Sequence, residues 1–158
     1  MTKVPPSGSV WWKLQRRLAR LNTLLFQATN GRLGGKYFGA PVLLLDHAGR
    51  RTGQLRTSPL IYLDDGPNLV VVASKGGAAE HPHWFHNLMA MERTEVELPG
   101  GVRRPVKPRI AEGAERDALW PRLVALYQPY GTYAERTDRR IPVVVLEEYD
   151  LGTGEDES

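Results

Sequence analysis

Thr57-Ser58-Pro59-Leu60-Ile61-Tyr62-Leu63-Asp64-Asp65-Gly66-Pro67-Asn68-Leu69-Val70-Val71-Val72-Ala73 is the stretch that decides the fold. Its two arms are rich in β-branched and apolar residues, and between them Asp65-Gly66 is a step that favours a tight hairpin turn. Thr57 to Leu63 and Asn68 to Ala73 are therefore expected as two strands. Upstream, Pro41-Val42-Leu43-Leu44-Leu45 is a short continuous apolar run, the pattern of a buried strand, so a three-strand meander is expected. Downstream, Pro82 stands where a first helical turn tolerates it, and Trp84, Leu88 and Met91 follow at helical spacing. Thr94 to Leu98 and Val102 to Ile110 flank Pro99-Gly100-Gly101 as two further strands, with Pro105 and Pro108 confining the second to an edge or a bulge. Leu119, Leu123 and Leu126 mark a helix over Glu112 to Tyr127, and Ile141 to Leu146 is a final buried strand.

Ahead of the strands, Trp11, Leu14, Leu18, Leu21, Leu25 and Ala28 form one stripe of a helix from which Lys13, Arg16, Arg17 and Arg20 are displaced. Two readings of this basic amphipathic helix stand: it packs on the domain, or it docks on a membrane surface or a partner. Trp12 lies off the stripe, beside the basic face. Asn30-Gly31-Arg32-Leu33-Gly34-Gly35 reads as a turn-rich linker. The short connections imply mostly antiparallel pairing and a small barrel or closed sheet, in an α+β chain. The expected organisation is an N-terminal tail and helix over residues 1–35, one core domain over 36–148, and a flexible acidic tail over 149–158.

A chain of 158 residues with 41% hydrophobic content suits one domain. The lack of cysteine removes disulfides, a thiolate nucleophile and cysteine-type metal sites, and fits an intracellular location. No apolar run approaches the roughly 20 residues of a membrane span, and the first residues lack the pattern of a secretory signal. A net charge of +3 is too small to imply nucleic acid.

Arg50, Arg51, Arg56 and Lys75 flank the meander beside glycine-bearing turns, Gly49 to Gly53 and Gly76-Gly77. Cations supply charge and donors, and glycines admit backbone N–H groups to phosphate oxygens, so the pattern reads as an anion seat. There is no Walker or Gly-x-Gly-x-x-Gly motif. His81, His83 and His86 match no established zinc spacing, and no metal is expected; His47 has no evident nucleophile partner. Tyr127, Tyr130 and Tyr133 recur every third residue, but Pro129 and Gly131 argue for a loop carrying three phenols that wall a pocket.

Gly49-Arg50-Arg51-Thr52-Gly53, Arg56-Thr57-Ser58-Pro59-Leu60, Val71-Val72-Ala73-Ser74-Lys75-Gly76-Gly77, His81-Pro82-His83-Trp84-Phe85-His86-Asn87-Leu88, Tyr127-Gln128-Pro129-Tyr130 and Thr137 to Val144 together resemble the deazaflavin-dependent nitroreductase family, from about Pro41 to Glu147. The resemblance implies a mostly antiparallel split β-barrel, related to flavin-reductase barrels, that binds coenzyme F420, a deazaflavin with a phosphate and an acidic polyglutamate tail. By position, Arg50, Arg51, Arg56 and Lys75 look like phosphate and tail contacts, with Gly76 and Gly77 offering backbone donors. Pro59 to Tyr62 and Ala73 to Ser74 look like the strands lining the deazaflavin ring, Thr57 and Ser58 like further cofactor-binding residues, and Trp84 and Asn87 like supports of the cofactor loop. Ser74, Tyr127, Tyr130 and Tyr133 look like the residues on the substrate side. The implied reaction moves a hydride from F420H2 to a quinone, and in some members to a nitroaromatic compound. The basic helix suits a cytoplasmic protein peripheral to the inner membrane face. An FMN-filled barrel and a non-catalytic cofactor-binding module are the alternatives. The sequence departs from the family pattern at Arg51, where lysine is usual, at Asp46-His47, where small hydroxyl residues are common, and at Phe85, often tyrosine.

Overall fold

Runs such as Val70-Val71-Val72 and Val143-Val144-Val145 are apolar at every position, so a strand built from them must be covered on both faces. In the computed structural model, which describes residues 10–32 and 34–149, both runs lie in one antiparallel sheet. The strands are β1 (Lys36–Tyr37), β2 (Ala40–Ala48), β3 (Leu55–Ile61), β4 (Leu63–Asp65), β5 (Asn68–Val72), β6 (Thr94–Leu98), β7 (Val102–Ile110) and β8 (Val143–Glu148), and the helices α1 (Val10–Thr29), α2 (His83–Met89), α3 (Gly113–Leu126) and α4 (Pro129–Arg136). The expected N-terminal and acidic tails lie largely outside the described residues, as does Leu33.

The sheet runs β1-β2-β6-β7-β8-β5-β4, with β3 on the other side of β2. The segment from Leu55 to Asp65 closes it. As β3 it pairs with β2 from Ala48↔Leu55 to Val42↔Ile61; as β4 it pairs with β5 from Leu63↔Val70 to Asp65↔Asn68. At the corner, Tyr62 donates its backbone N–H to Pro41 O at 3.1 Å. The expected hairpin at Gly66-Pro67 is present and so is the order of the expected meander, but its middle strand bends at Tyr62 into β3 and β4, because a curling strand has to change partners to close a barrel.

Closure separates two cores. Leu43, Leu45, Leu69, Val71, Val96, Val106, Val144 and Leu146 fill the inside, capped by Phe85 and Leu88 of α2. Val70, Val72, Val143 and Val145, on alternate positions, meet Leu119, Leu123 and Tyr130 of α3 and α4 outside.

Three expectations change. β7 is a central strand, yet its two ladders each take half of it: Val102 to Val106 with β6, and Val106 to Ile110 with β8. Each half is thus an edge on one side, which accommodates Pro105 and Pro108. Tyr130 and Tyr133 lie on helix α4, not on a loop, while Tyr127 stands in the short connection between α3 and α4. Pro129 occupies the first turn of α4, where the missing N–H would have no partner within the helix. Finally, the stripe of α1 faces outward. Leu14, Leu18 and Leu21 are each more than half exposed, whereas Phe26 is fully buried and Trp12, Ala19, Asn22 and Thr23 are half-buried. Among the described residues no helix is long and apolar enough to cross a membrane.

Truncating Leu45, fully buried in the inner core, to alanine is expected to cost about 2–5 kcal/mol in urea unfolding. Leu18→Ala, on the exposed stripe, is expected to stay within about 0.5 kcal/mol of the parent.

Candidate active site

The tip of the β2–β3 hairpin is a short glycine loop closed by its own backbone: Gly49 N–H donates to Gln54 O at 2.9 Å, and Gly53 N–H to Gly49 O at 2.7 Å. It displays Arg50 and Arg51 to solvent, while Arg56 follows on β3 opposite His47. Arg50 is tied down on α2. Its backbone N–H and its Nη1 lie 3.1 and 3.4 Å from Asn87 Oδ1. Asn87 Nδ2 lies 3.0 Å from His47 Nδ1, and His47 Nε2 lies 2.8 Å from Ser58 Oγ. Burial, and next the charge of Arg56, hold the His47 pKa below its ordinary value.

Beyond β5 the chain turns sharply at Lys75-Gly76-Gly77. All three residues have left-handed backbone, with φ of 45°, 61° and 79°. That conformation is costly for lysine and natural for glycine. Gly77 N–H donates to Ser74 O at 2.9 Å and Ala78 N–H to Lys75 O at 3.1 Å, so these two donors are spent inside the turn. Gly77 is also where the turn meets α4, since a Cβ there would lie 2.7 Å from Tyr133 O.

The guanidinium of Arg139 anchors this turn from the far end of the chain. Nε donates to Ala78 O at 2.8 Å, Nη2 to Ser74 O at 2.7 Å, Nη1 and Nη2 reach Ala73 O at 3.3 and 3.2 Å, and Nη1 donates to His81 Nδ1 at 2.8 Å. Sequence reading did not single out Arg139 as a site residue, because its role depends on a contact more than 60 residues away along the chain. The histidine triplet is drawn into structural contacts: His81 packs on Phe85 at 4.9 Å and on His86 at 5.7 Å. Among the described residues no group of three or more histidines, cysteines or carboxylates could hold a metal ion.

The two turns share one rim. Burial lowers the His83 pKa below its ordinary value, and the neighbouring charges of Lys75, Arg50, His86 and Arg16 lower it further. Arg16 of α1 was not expected here; its basic face was legible, but the docking of the helix was not. Trp12, expected beside exposed arginines, instead lies under Lys75, whose Nζ is 5.3 Å from the ring centroid. Lys75 also faces Glu80 at 3.4 Å. Arg51 and Arg56 are exposed nearby in sequence, Arg56 beside the His47 network.

On the other side of Gly77 stand the phenols. The Tyr127 and Tyr130 rings are 4.9 Å apart, and the Tyr127 and Tyr133 hydroxyls 3.4 Å apart. Burial pushes the pKa values of Tyr127 and Tyr130 well up, reinforced at Tyr127 by its contact with Tyr133, so both stay neutral. Tyr37 of β1, which sequence reading missed, joins the group 6.0 Å from Tyr127. Ser74 is half-buried, and its carbonyl accepts from Gly77 N–H and from Arg139 Nη2. Of the remaining expected residues, Thr57 donates to Asp46 Oδ1 at 2.8 Å, Pro59 pairs with Leu44, Ala73 is fully buried, and Trp84 packs on the inner core beside Phe85.

A cationic rim joined to neutral phenols on a curled antiparallel sheet defines a class, the split-barrel oxidoreductases with an anionic flavin-type cofactor. The chain belongs to the F420H(2)-dependent quinone reductase family, whose model matches residues 18–148. An F420H(2)-dependent quinone reductase of Mycobacterium tuberculosis is 40% identical over 137 residues, covering 82% of this chain and 89% of that protein. Among solved structures, an F420-H2 dependent reductase, FDR-A, superposes with a TM-score of 0.62 at 35% identity, over 68% of this chain and 94% of that one. A chain described as a domain-swapped dimer superposes with a TM-score of 0.65 at 31% identity, over 88% of this chain and 100% of the other. Reduced coenzyme F420 is thus the cofactor of this oxidoreductase. The residues present fit it: Arg16, Arg50 and Lys75 all bring positive charge to the neighbourhood of His83, a donor set suited to an anionic phosphate and tail.

The two glycines of the turn should separate conformation from packing. Gly76→Ala, with open space around its Cβ, is expected to cost about 1–2 kcal/mol for left-handed backbone alone. Gly77→Ala must in addition push Tyr133 away and is expected to lower the melting temperature further, as read by thermal unfolding.

Proposed function

We propose that the protein passes a hydride from F420H2 to a quinone, with nitroaromatic compounds as a second class of acceptor. The observation that carries this is the close approach of Gly77, in the cationic turn, to the backbone of Tyr133, whose ring belongs to the phenol cluster. It sets a seat for an anion and a set of neutral hydroxyl donors side by side.

In this reading Arg50, Arg51, Arg56 and Lys75, joined by Arg16, hold the phosphate and tail by charge. Thr57, Ser58, Pro59 and Ala73 line the ring. Gly76 and Gly77 shape the turn, while Asn87 supports the β2–β3 loop through Arg50 and Trp84 packs behind it on the core. Reduced F420 supplies the hydride when bound. Ser74, Tyr127, Tyr130 and Tyr133 orient the acceptor and stabilise negative charge developing on its oxygen by hydrogen bonding. Because burial keeps Tyr127 and Tyr130 protonated, they serve as donors throughout the physiological pH range.

The location proposed is the inner face of the membrane, where a lipid-soluble quinone is found. Support comes from α1, whose Leu14, Leu18 and Leu21 are exposed while Lys13, Arg16, Arg17 and Arg20 supply positive charge for anionic headgroups.

Purified protein is expected to bind F420 and not FMN in a fluorescence titration, and to oxidise F420H2 when menadione is added. Binding without turnover would leave a sequestering module. Lys75→Ala is expected to weaken F420 binding by about tenfold at low salt, with a smaller defect near 0.5 M salt because the attraction is ionic; a defect that ignores salt would sink the electrostatic role. Replacing Leu14, Leu18 and Leu21 together by serine is expected to abolish co-sedimentation with anionic vesicles while F420 affinity holds. Unchanged sedimentation would remove the membrane assignment.

A further inference from the structure

The buried chain between Arg50 and Ser58 has a direction that its geometry dictates. The backbone N–H of Arg50 can only donate, so the Asn87 atom 3.1 Å from it is the carbonyl oxygen. The Arg50 guanidinium, also a donor, faces the same oxygen. The other side of the amide, Nδ2, therefore faces His47 Nδ1 at 3.0 Å, and an NH2 group can only donate. Nδ1 must accept, which places the imidazole proton on Nε2, directed at Ser58 Oγ 2.8 Å away. His47 and Asn87 are 3% and 5% exposed, so water is poorly placed to replace a lost partner.

We propose that His47 is a positioning residue for the anion seat: as a neutral Nε2–H imidazole it holds the Asn87 amide in the one orientation that binds Arg50, and when Nδ1 gains a proton that hold is lost. With both ring nitrogens donating, the amide restores its bond to His47 only by rotating. Rotation turns the NH2 group onto the Arg50 N–H and guanidinium, donor against donor. The seat then loses the support that fixes Arg50 to α2. Lys75 and Arg16, which do not touch this chain of bonds, keep their places.

The charged groups around His47 set where this happens. Arg56, its cross-strand partner on β3, opposes a second positive charge, while Asp46 beside it favours one; burial outweighs both. With the folded pKa below the ordinary histidine value, the unfolded chain takes up this proton more readily. The stability contributed by neutral His47 is therefore fully present above about pH 6.5 and declines as pH falls toward the folded pKa.

The proposal rests on the reading of Arg50 as part of the cofactor seat, but its first test needs no cofactor. Nitrogen-15 NMR of the full chain at about pH 7.5 is expected to show the Nε2–H tautomer at His47 and an exchange-protected Arg50 amide. That protection, corrected for intrinsic exchange, is expected to fall by about tenfold or more as His47 titrates. His47→Asn, whose side-chain oxygen can still accept from Asn87 and cannot be charged, is expected to keep it. An Nδ1–H tautomer, protection indifferent to pH, or the same pH profile in the variant would each overturn the proposal.

In fluorescence titrations, F420 affinity of the parent is expected to fall about fivefold more than that of His47→Asn between about pH 7.5 and 5.5. Ionisations of F420 itself are common to both proteins and cancel in the ratio. Equal losses overturn the proposal. A parent that binds no F420 even at the higher pH sinks the proposed function instead, and the NMR result then stands alone. If the asparagine variant does not fold, the parent's tautomer and its Arg50 protection still decide.

Discussion

The change of partners at Tyr62 is the constraint on which the molecule depends. A strand that left β2 without joining β5 would leave two sheet edges open and the apolar faces of β5 and β8 half uncovered. By turning that corner the chain obtains an inside, filled by leucine and valine, and an outside on which α3 and α4 pack. It also brings the end of β5 and the end of the β2–β3 hairpin to the same rim. The two basic turns are held together by barrel closure, not by attraction between them, since like charges repel.

The rim accommodates this repulsion by giving three of its cations a partner. Arg50 has the Asn87 oxygen, Lys75 has the Trp12 ring and the exposed carboxylate of Glu80, and Arg139 is surrounded by carbonyls. Carbonyl oxygens satisfy the Arg139 donors without neutralising its charge, so the field at the rim remains positive.

Much of the molecule was legible from residue order. Alternation, the Asp-Gly step and the two proline-glycine turns located six of the eight strands to within a few residues, and the motif chain named the family. What stayed hidden depends on contacts distant in sequence. The spacing of Leu14, Leu18 and Leu21 announces a helix stripe but not whether it faces the barrel, and the side that docks is more polar. Pro129 read as a breaker because local propensity does not tell the interior of a helix from its first turn. Arg16 was legible only as part of a basic helix face, His47 only as a departure from the family pattern and Tyr37 not at all, since each gains its partners only when the barrel closes.

The anchoring of the Ala73 to Ala78 turn by Arg139 has a consequence for the order in which the protein is made. As the chain emerges from a ribosome, both basic turns are synthesised well before Arg139 and before β8, the strand that pairs with β5. Until those later residues arrive, the carbonyls of the turn have no guanidinium to bind and β5 has no neighbour on that side. A nascent chain therefore carries the cations of the seat without its shape, and competence to hold the cofactor arises late, as the C-terminal strand slots into the sheet.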